Sequence, residues 1–417
     1  MSIKIAVFDP VGNWGGGSRV VRALLPAIKR NLPDSAITYF GNLVTIQREG
    51  FVSEFNASGI TVEELISTRL SQKGLWGIHK SDIVFRLIQE KFGNLKTILP
   101  LYISGDTTRE IKKRSRGFDL AFFPWIFLVR CPELTIPSVA IFHDFNYKYY
   151  FGGKSTYCKE QLQQLENEMP PWLKNSIPVV SSEFMKQEII KFYPEFSDKV
   201  NHVYLGPMSG ISDYSKDEAR EIISHFNING SFLLYPTNIC SHKNIGPLLS
   251  AVYLIRKSGY KIKLLLTGPG TETINGDACG IGITYNNKPD RDVLGLGYVS
   301  NIQMDALIQC ATIVITTSLY EAGCGPGLDA WCKGIPVAMS DIPSFTEHLQ
   351  IQGVKAALFN PRDPENIAEC IMTVLKKYKK AVKDAVESRE AIEKYSWDKT
   401  ACEYIDVFKE AIRDNNQ

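Results

Sequence analysis

The 417-residue chain has the composition of an ordinary globular protein, with 44% hydrophobic and 22% charged residues. This composition excludes a disordered, collagen-like or coiled-coil protein, and no apolar run reaches the roughly 18 residues that a membrane-spanning helix needs. The net charge of +2 does not indicate a nucleic-acid partner. At roughly 150 residues per domain, the length predicts two or three domains.

Short apolar runs alternate with helical patterns along the chain, and such runs suit strands that are buried on both faces of a parallel sheet. The predicted strands are 3–8, 120–123, 138–142, 178–181, 232–235, 263–267, 295–299, 313–316 and 337–340. The predicted helices that follow three of them are 18–29, 245–257 and 301–310. The repeated order of strand, loop and helix predicts an α/β fold with doubly wound parallel sheets.

The pattern restarts near residue 230, and the turn-rich segment 204–213 is a plausible linker. We therefore expect two Rossmann-like domains, at 1–205 and 206–397. A last helical pattern begins at Trp397, and its apolar spacing would allow it to pack on either domain.

The cysteines and the N-terminus bear on the compartment in which the protein works. Nine cysteines are scattered without a C-x-x-C pair, which predicts reduced core residues and neither a disulfide framework nor a zinc site. The apolar stretch over 3–8 is too short for the apolar region of a signal peptide. These features predict a cytoplasmic protein.

The charge is distributed unevenly. Residues 1–205 hold 25 basic and 20 acidic side chains, whereas the remainder holds 22 and 25. The basic excess includes a cluster of five residues: Arg109, Lys112, Lys113, Arg114 and Arg116. One interpretation is a solvated helix face. The other is attraction to anionic lipid headgroups, which would make the protein peripheral at the inner face of a membrane.

A glycine-rich loop separates the first predicted strand from the first predicted helix, with Gly15, Gly16 and Gly17 in succession. Exposed amides at a helix N-terminus suit an anionic ligand. The loop matches neither G-x-G-x-x-G nor the Walker A sequence, which disfavours a dinucleotide-dependent oxidoreductase. The alternative is a flexible turn without a ligand.

Two further loops place polar side chains after predicted strands. His143 and Asp144 follow strand 138–142, at the edge where α/β proteins bind ligands, although a lone histidine is more often structural. Lys243 follows strand 232–235 and precedes a helix, where a lysine can reach phosphate oxygens. The alternative there is a helix cap with a solvated lysine.

The segment 317–337 is the most informative part of the sequence. Glu321 lies in a glycine-rich turn, and Asp329 lies inside the helix that follows. Free amides at the start of that helix can hold a diphosphate, and the two carboxylates can accept hydrogen bonds from sugar and ribose hydroxyls. These amides would belong to Gly323, Cys324 and Gly325. The alternative is a coincidental acidic turn.

Together these motifs resemble the retaining glycosyltransferases of family 4, which have the GT-B fold of two Rossmann-like domains facing across a cleft. The hallmark of that family is Glu, seven residues, Glu and Ala, followed by Gly-x-Pro-Val. It occurs here as Glu321, seven residues, Asp329 and Ala330, then 334–337. The other matching segments are the first glycine-rich loop, 143–144, 181–184, 243–244, 266–270, 296–299, 359–361 and 396–397.

The resemblance implies roles for the matching residues. His143 would contact the donor sugar near the reacting carbon, Lys243 would neutralise the diphosphate leaving group, and Glu321 would bind hydroxyls of the donor sugar. These three are the expected catalytic residues. Gly16 and Gly17 would approach the donor diphosphate or the acceptor.

The rest of the donor site follows from the same resemblance. The amides of Gly323, Cys324 and Gly325 would bind sugar and phosphate, and Asp329 would hold the ribose hydroxyls. The final helix, 398–417, would pack back onto the N-terminal domain.

Three positions depart from the family pattern. Asp329 replaces the usual Glu and is one methylene shorter. Thr237 and Asn238 stand where the family commonly has an Arg, which removes a positive charge unless His242 compensates. The turn over 322–325 reads Ala-Gly-Cys-Gly instead of the common Gly-Phe-Gly, so the contacts to the donor sugar are expected to differ.

The resemblance implies transfer of a hexose from a nucleotide-diphospho-sugar, with GDP-mannose the first choice, to a hydroxyl of a glycan or lipid-linked glycan. The anomeric configuration would be retained, and no metal ion or cofactor would be needed. One alternative is another GT-B enzyme, such as a sugar-phosphate synthase or an epimerase. A second is a catalytically inactive GT-B binding protein, whose signature would be the loss of Glu321 or Lys243; both are present.

Overall fold

A computed structural model describes residues 2–10, 16–47, 50–65, 107–151, 157–207, 215–275 and 292–415. The chain divides into two compact units. The first unit comprises Met1–Tyr147, Tyr157–Leu205 and Trp397–Gln417, and the second comprises Lys148–Thr156 and Gly206–Ser396.

The first unit is built on a seven-stranded sheet with parallel pairing. Its strands are β1 (Lys4–Asp9), β2 (Ala36–Gly41), β3 (Thr61–Glu64), β4 (Leu120–Phe123), β5 (Ser138–Ile141), β6 (Ile177–Val180) and β7 (Asn201–His202). Their order in the sheet is β3-β2-β1-β4-β5-β6-β7. Every residue of β4 and β5 is buried, as expected for central strands with both faces covered.

Helices lie in most of the crossover connections that parallel pairing needs, although the segment 124–137, which joins β4 to β5, contains none. They are α1 (Gly16–Asn31), α2 (Leu43–Ile46), α3 (Phe51–Ala57), α4 (Lys159–Asn175) and α5 (Glu183–Phe192). Residues 107–114 are also helical.

The C-terminal helix (Trp397–Asn415) packs on the first unit. The rings of its Tyr404 and Phe408 lie 5.8 and 5.2 Å from the ring of Phe122 in β4. Thr400 Oγ1 donates to the carbonyl oxygen of Tyr204 at 2.8 Å. The apolar spacing of this helix is compatible with packing on either domain, and these contacts show that it packs on the first unit.

The second unit is built on a six-stranded sheet, also with parallel pairing. Its strands are β8 (Phe232–Pro236), β9 (Lys263–Thr267), β10 (Val293–Gly295), β11 (Ile313–Thr316), β12 (Val337–Ser340) and β13 (Ala357–Phe359), in the order β10-β9-β8-β11-β12-β13. Leu233 and Leu234, neighbours in β8, belong to different hydrophobic clusters because successive side chains point to opposite faces of the sheet.

Seven helices described in the second unit cover these two faces. They are α6 (Lys216–Ile222), α7 (Ile245–Lys257), α8 (Asn301–Cys310), α9 (Gly325–Cys332), α10 (Pro343–Gln352), α11 (Pro364–Lys376) and α12 (Tyr378–Ile392). No helix in the described ranges is both long enough and apolar enough to cross a membrane.

The predicted fold class, α/β with two parallel Rossmann-like sheets, is confirmed. The strand expected at 295–299 is wrong, because β10 occupies Val293–Gly295 and pairs with Leu264–Leu266 of β9. Gly297, with φ of +67°, turns the backbone out of the extended conformation just after that strand.

The division of the chain also differs from the expected boundary, since Lys148–Thr156 belongs to the second unit instead of the N-terminal domain. The described part of this segment makes aromatic contacts there. The ring of Tyr149 lies 5.1 Å from that of Tyr320, and the ring of Phe151 lies 5.8 Å from that of His242.

Candidate active site

The candidate site of the second unit lies where the strand order reverses. β8 and β11 are neighbours in the sheet, although β9 and β10 come between them in the sequence. In open α/β sheets, loops at the carboxyl ends of such strands form ligand sites. The loop after β8 carries Lys243 and the loop after β11 carries Glu321.

The side chains of Lys243 and Glu321 meet in an ion pair, with 18% and 21% of their surfaces exposed. Ser318 Oγ donates a second hydrogen bond to Glu321 Oε1 at 2.6 Å. Burial opposes the charge on both groups. Even so, the Glu321 carboxylate raises the pKa of Lys243, and the Lys243 ammonium lowers the pKa of Glu321. Both groups are therefore charged at neutral pH.

Hydrogen bonds from neighbouring strands hold the backbone at Lys243. The hydroxyl of Tyr235, at the end of β8, donates to the Lys243 carbonyl oxygen at 2.9 Å. Thr317 Oγ1, after β11, lies 3.1 Å from the same oxygen. The amide of Leu319 donates to the carbonyl oxygen of His242 at 2.7 Å. These bonds tie the two loops together and so set the position of the ion pair.

Asn244 makes the turn from Lys243 into α7. It adopts a left-handed conformation with φ of +55°, which asparagine tolerates better than most residues. Its Nδ2 donates to the carbonyl oxygen of Pro361 at 2.6 Å. The Lys243-Asn244 dipeptide, which is part of the resemblance, therefore combines a charged side chain with the backbone turn that orients it.

His242 does not supply the positive charge that the missing arginine would have provided. Its ring is buried, and burial together with the neighbouring Lys243 ammonium lowers its pKa to about 4. His242 Nδ1 has no hydrogen-bond partner among the described residues. The ring is therefore neutral at physiological pH, so Lys243 provides the charge of this loop.

Asn238 shapes the start of the loop. Its side-chain oxygen accepts from the Cys240 amide at 3.1 Å. A Cβ atom at Gly268, in the loop after β9, would lie 1.8 Å from the Thr237 carbonyl oxygen. The backbones of the two loops can approach so closely only because position 268 is glycine.

The turn after Glu321 leads into α9, as expected, but one of its three amides is not free. Cys324 is the N-cap residue of α9, and its amide donates to His348 Nε2 at 3.1 Å. Asp329, expected to hold ribose hydroxyls, is 1% exposed. A ribose could therefore reach this carboxylate only after neighbouring groups move.

The residues expected in the N-terminal domain lie in the first unit. Gly16 and Gly17 begin α1 after β1, and the loop residues 11–15 lie outside the described range. His143 follows β5, with its ring 4.9 Å from that of Trp125. Its Nε2 lies 2.6 Å from the Pro124 carbonyl oxygen.

Because a carbonyl oxygen can only accept, His143 Nε2 carries the proton and Nδ1 is the remaining acceptor. Burial lowers the pKa of His143 to about 4, although the bond to Pro124 opposes that shift. The ring is thus neutral and oriented to accept a hydrogen bond from a hydroxyl.

Sequence reasoning missed two groups near the Lys243–Glu321 pair. His348 supports the turn after Glu321 from a distant helix, and no local motif marks it. Tyr149 and Phe151 contact Tyr320 and His242, and only their aromatic character was visible in the sequence. In the described ranges, no group of three or more histidine, cysteine or acidic side chains is arranged to hold a metal ion.

Residues 231–377 match the sequence model of the family described as glycosyl transferases group 1. This segment contains β8, the Lys243–Glu321 pair and α9. This part of the second unit is therefore similar to that family's sequence model.

Known proteins resemble a larger part of the chain. An uncharacterized glycosyltransferase of Methanocaldococcus jannaschii is 25% identical over 246 residues, which cover 56% of this chain and 60% of that protein. The chain thus matches less than two thirds of that relative's length. O-antigen chain mannosyltransferase B of Escherichia coli is 22% identical over 282 residues, which cover 67% of this chain and 71% of that protein.

A solved structure extends the likeness to both units. An Anabaena protein solved in complex with UDP and glucose matches with a TM-score of 0.68 and is 13% identical. The match covers 98% of this chain and 100% of that one. At this identity the likeness concerns the fold. The chain, with its two parallel-sheet units, has the GT-B fold.

Proposed function

We propose that this chain is a retaining glycosyltransferase that moves a hexose from a nucleotide-diphospho-sugar to a hydroxyl of a glycan or lipid-linked glycan. The observation that carries the proposal is the contact of Lys243 with Glu321 beside the N-terminus of α9. The contact places a cation that suits a leaving diphosphate beside a carboxylate that suits sugar hydroxyls. Both residues lie in the segment that matches the glycosyl transferases group 1 model.

Lys243 stabilises the departing nucleoside diphosphate. An ammonium group has three N–H donors, and one is directed at Glu321. The others are suited to phosphate oxygens as negative charge develops on the leaving group, which is where electrostatic stabilisation is most effective. Amides in the first turn of α9 add positive potential.

Glu321 binds and orients the donor sugar. Its low pKa keeps it an anion, so it accepts hydrogen bonds from hydroxyls and is a poor proton donor. Hydrogen bonds from Lys243 and Ser318 fix its orientation. This environment argues against the general-acid role of a glycosidase carboxyl group. The acceptor proton passes to a leaving phosphate oxygen in a same-face substitution, without a metal ion.

His143 is the expected contact on the first unit. A neutral ring whose Nδ1 can accept a hydrogen bond suits a sugar hydroxyl better than a phosphate. Gly16 and Gly17, at the start of α1, would approach the diphosphate or the acceptor.

GDP-mannose is the proposed donor. The mannosyltransferase name of the Escherichia coli relative supports the sugar, whereas the Anabaena neighbour, solved with UDP and glucose, makes UDP-glucose the main competitor. A thermal-shift series with GDP, UDP, dTDP and CDP tests the base. A nucleotide at a hundred times its Kd should stabilise the protein by about 2.7 kcal/mol. A rise in unfolding temperature with GDP alone supports GDP-mannose as the donor. A rise with UDP alone contradicts it and favours UDP-glucose.

Turnover tests the reaction class. Purified protein is incubated with each nucleotide sugar, and release of nucleoside diphosphate and the anomeric form of the product are measured. Lys243→Met should remove the thermal shift with the nucleotide and reduce the release of nucleoside diphosphate by roughly a hundredfold to a thousandfold. Release at the wild-type rate in that variant would refute the proposed role of Lys243.

We also propose that the cluster at 109–116 draws the protein to an anionic membrane that holds a lipid-linked acceptor. Arg114 pairs with Glu110 and Glu63 at 2.8 and 2.7 Å, whereas the other four basic side chains of the cluster are exposed. Sedimentation with phosphatidylglycerol vesicles, set against phosphatidylcholine vesicles, tests this. Reversing the charge of Arg109 and Lys113 should abolish binding to the anionic vesicles.

A further inference from the structure

The turn of the candidate donor site is supported by a helix that follows a different strand. α10 comes after β12, and its His348 is buried with 4% exposed. His348 Nε2 accepts from the amide of Cys324, the N-cap residue of α9, at 3.1 Å. The helix that would bind the donor thus begins at a backbone group that His348 holds.

The hydrogen bonds of His348 fix its protonation state and its orientation. A backbone amide only donates, so Nε2 carries no proton and Nδ1 carries the proton of the neutral ring. Nδ1 lies 2.8 Å from Gln352 Oε1 and donates to it. Burial lowers the pKa of His348, which favours this neutral form. Both ring nitrogens are therefore committed within the protein, and the ring cannot rotate without losing a bond.

The His348 ring also lies close to the turn that follows Glu321. A Cβ atom at Gly323 would lie 3.2 Å from His348 Nε2. The histidine thus contacts the turn at Gly323 and Cys324, two and three residues after Glu321. Glu321 itself is held by hydrogen bonds from Ser318 and Lys243.

We propose that His348 is a positioning residue of the donor site, which fixes the turn from Glu321 to α9 by accepting the Cys324 amide. This inference rests on the proposed function. It also accounts for the amide of Cys324, which is not available to the donor because His348 takes it.

Two substitutions separate the bond to Cys324 from the rest of the side chain. The carboxamide of His348→Gln can place an acceptor where Nε2 lies, whereas that of His348→Asn reaches only as far as Nδ1. Ser388→Ala is the stability control, because Ser388 Oγ accepts from the Lys355 amide at 2.8 Å and is also buried in the second unit.

Amide hydrogen exchange of residues 321–325 and the KM for GDP-mannose are measured for all four proteins. His348→Asn should lose protection in this segment and raise KM, with kcat/KM reduced roughly tenfold to a hundredfold, as small misplacements of a site typically cost. His348→Gln should restore both. Ser388→Ala should leave the protection of this segment and KM unchanged, since general instability lowers only the amount of active protein.

Each result decides the inference. Unchanged protection in His348→Asn would overturn it, whatever the activity. Lost protection with an unchanged KM would overturn the link between the turn and the donor. The two proposals can also fail separately. If the wild type turns over none of the nucleotide sugars, the proposed function fails. If in the same experiments His348→Asn loses amide protection at 321–325 and His348→Gln keeps it, the positioning of the turn by His348 stands.

Discussion

Lys243 and Glu321 are 78 residues apart in the chain, and their side chains form an ion pair at the carboxyl edge of the second sheet. The contact exists because β8 and β11 are neighbours in that sheet. Parallel strands that are adjacent in space but distant in sequence bring their following loops together. The pair is therefore a product of the topology.

Breaking this pair should affect both stability and turnover. Lys243→Met leaves a carboxylate that is largely buried without its counter-ion, and Glu321→Gln removes the partner of the lysine. Each should lower the free energy of unfolding by about 3 kcal/mol, whereas the double variant should lose clearly less than the sum, because it leaves no unpaired charge. Urea unfolding of the four proteins measures this coupling.

Turnover of the same variants gives a second readout. Lys243→Met should reduce release of nucleoside diphosphate by roughly a hundredfold to a thousandfold, as loss of a group that stabilises developing charge does. Lys355→Met, which removes an exposed lysine paired with Asp384 at 3.2 Å, is the matched control and should leave turnover unchanged. Equal turnover in Lys243→Met and Lys355→Met would contradict the proposed role of Lys243 in stabilising the leaving diphosphate.

The buried histidines predict loss of stability in acid. Burial lowers the pKa of His143 and of His242 from 6.5 to about 4. Between these values the unfolded chain binds more protons than the folded protein, so the free energy of unfolding falls as the pH falls. The loss begins near pH 6.5 and is complete below about pH 4, and it should be on the order of 3 kcal/mol for His242.

Urea unfolding at intervals from pH 7 to pH 4 measures this dependence. His242→Phe should flatten the curve, because it removes a group that must stay neutral in the fold. It also removes an Nδ1 atom that has no hydrogen-bond partner among the residues the structure describes. His143→Phe should flatten it as well. If both variants keep the full pH dependence of the wild type, burial of these rings does not control it.

The left-handed turn at Asn244 should tolerate glycine better than alanine. Asn244→Gly keeps the conformation at φ of +55° but loses the bond to Pro361. Asn244→Ala loses the same bond and also places a Cβ in the left-handed region, which costs about 1–2 kcal/mol more. Thermal unfolding should rank the proteins wild type, glycine variant, alanine variant. Equal stability of the two variants would show that the backbone conformation is not the constraint.

Gly268 should not accept alanine. The added Cβ would meet the Thr237 carbonyl oxygen, and φ of +126° is unfavourable for any other residue. Gly268→Ala should lower the free energy of unfolding by roughly 1–3 kcal/mol, as overpacking does. Gly246→Ala, where a Cβ would meet nothing within 4 Å inside α7, should be neutral or stabilising by up to about 1 kcal/mol. Similar destabilisation in both variants would contradict this explanation.

The sequence by itself determined the fold class and much of the local structure. The apolar runs at 120–123, 263–267, 313–316 and 337–340 coincide with β4, β9, β11 and β12, and the helical pattern at 245–257 coincides with α7. These segments were predictable because strands buried on both faces need uninterrupted apolar side chains, and amphipathic helices need periodic ones. The order of the motifs also indicated which loops carry Lys243 and Glu321.

The tertiary structure alone decided which groups contact one another and in what charge state. The His242 ring becomes neutral because packing removes it from water, and no pattern within its loop encodes that burial. The Cys324 amide is taken by His348, which lies 24 residues further along the chain on another helix. A pKa depends on solvent exposure and on the distance to other charges, and a hydrogen bond depends on the distance between two groups. Both are set only when the strands have assembled into a sheet and the helices have packed against it.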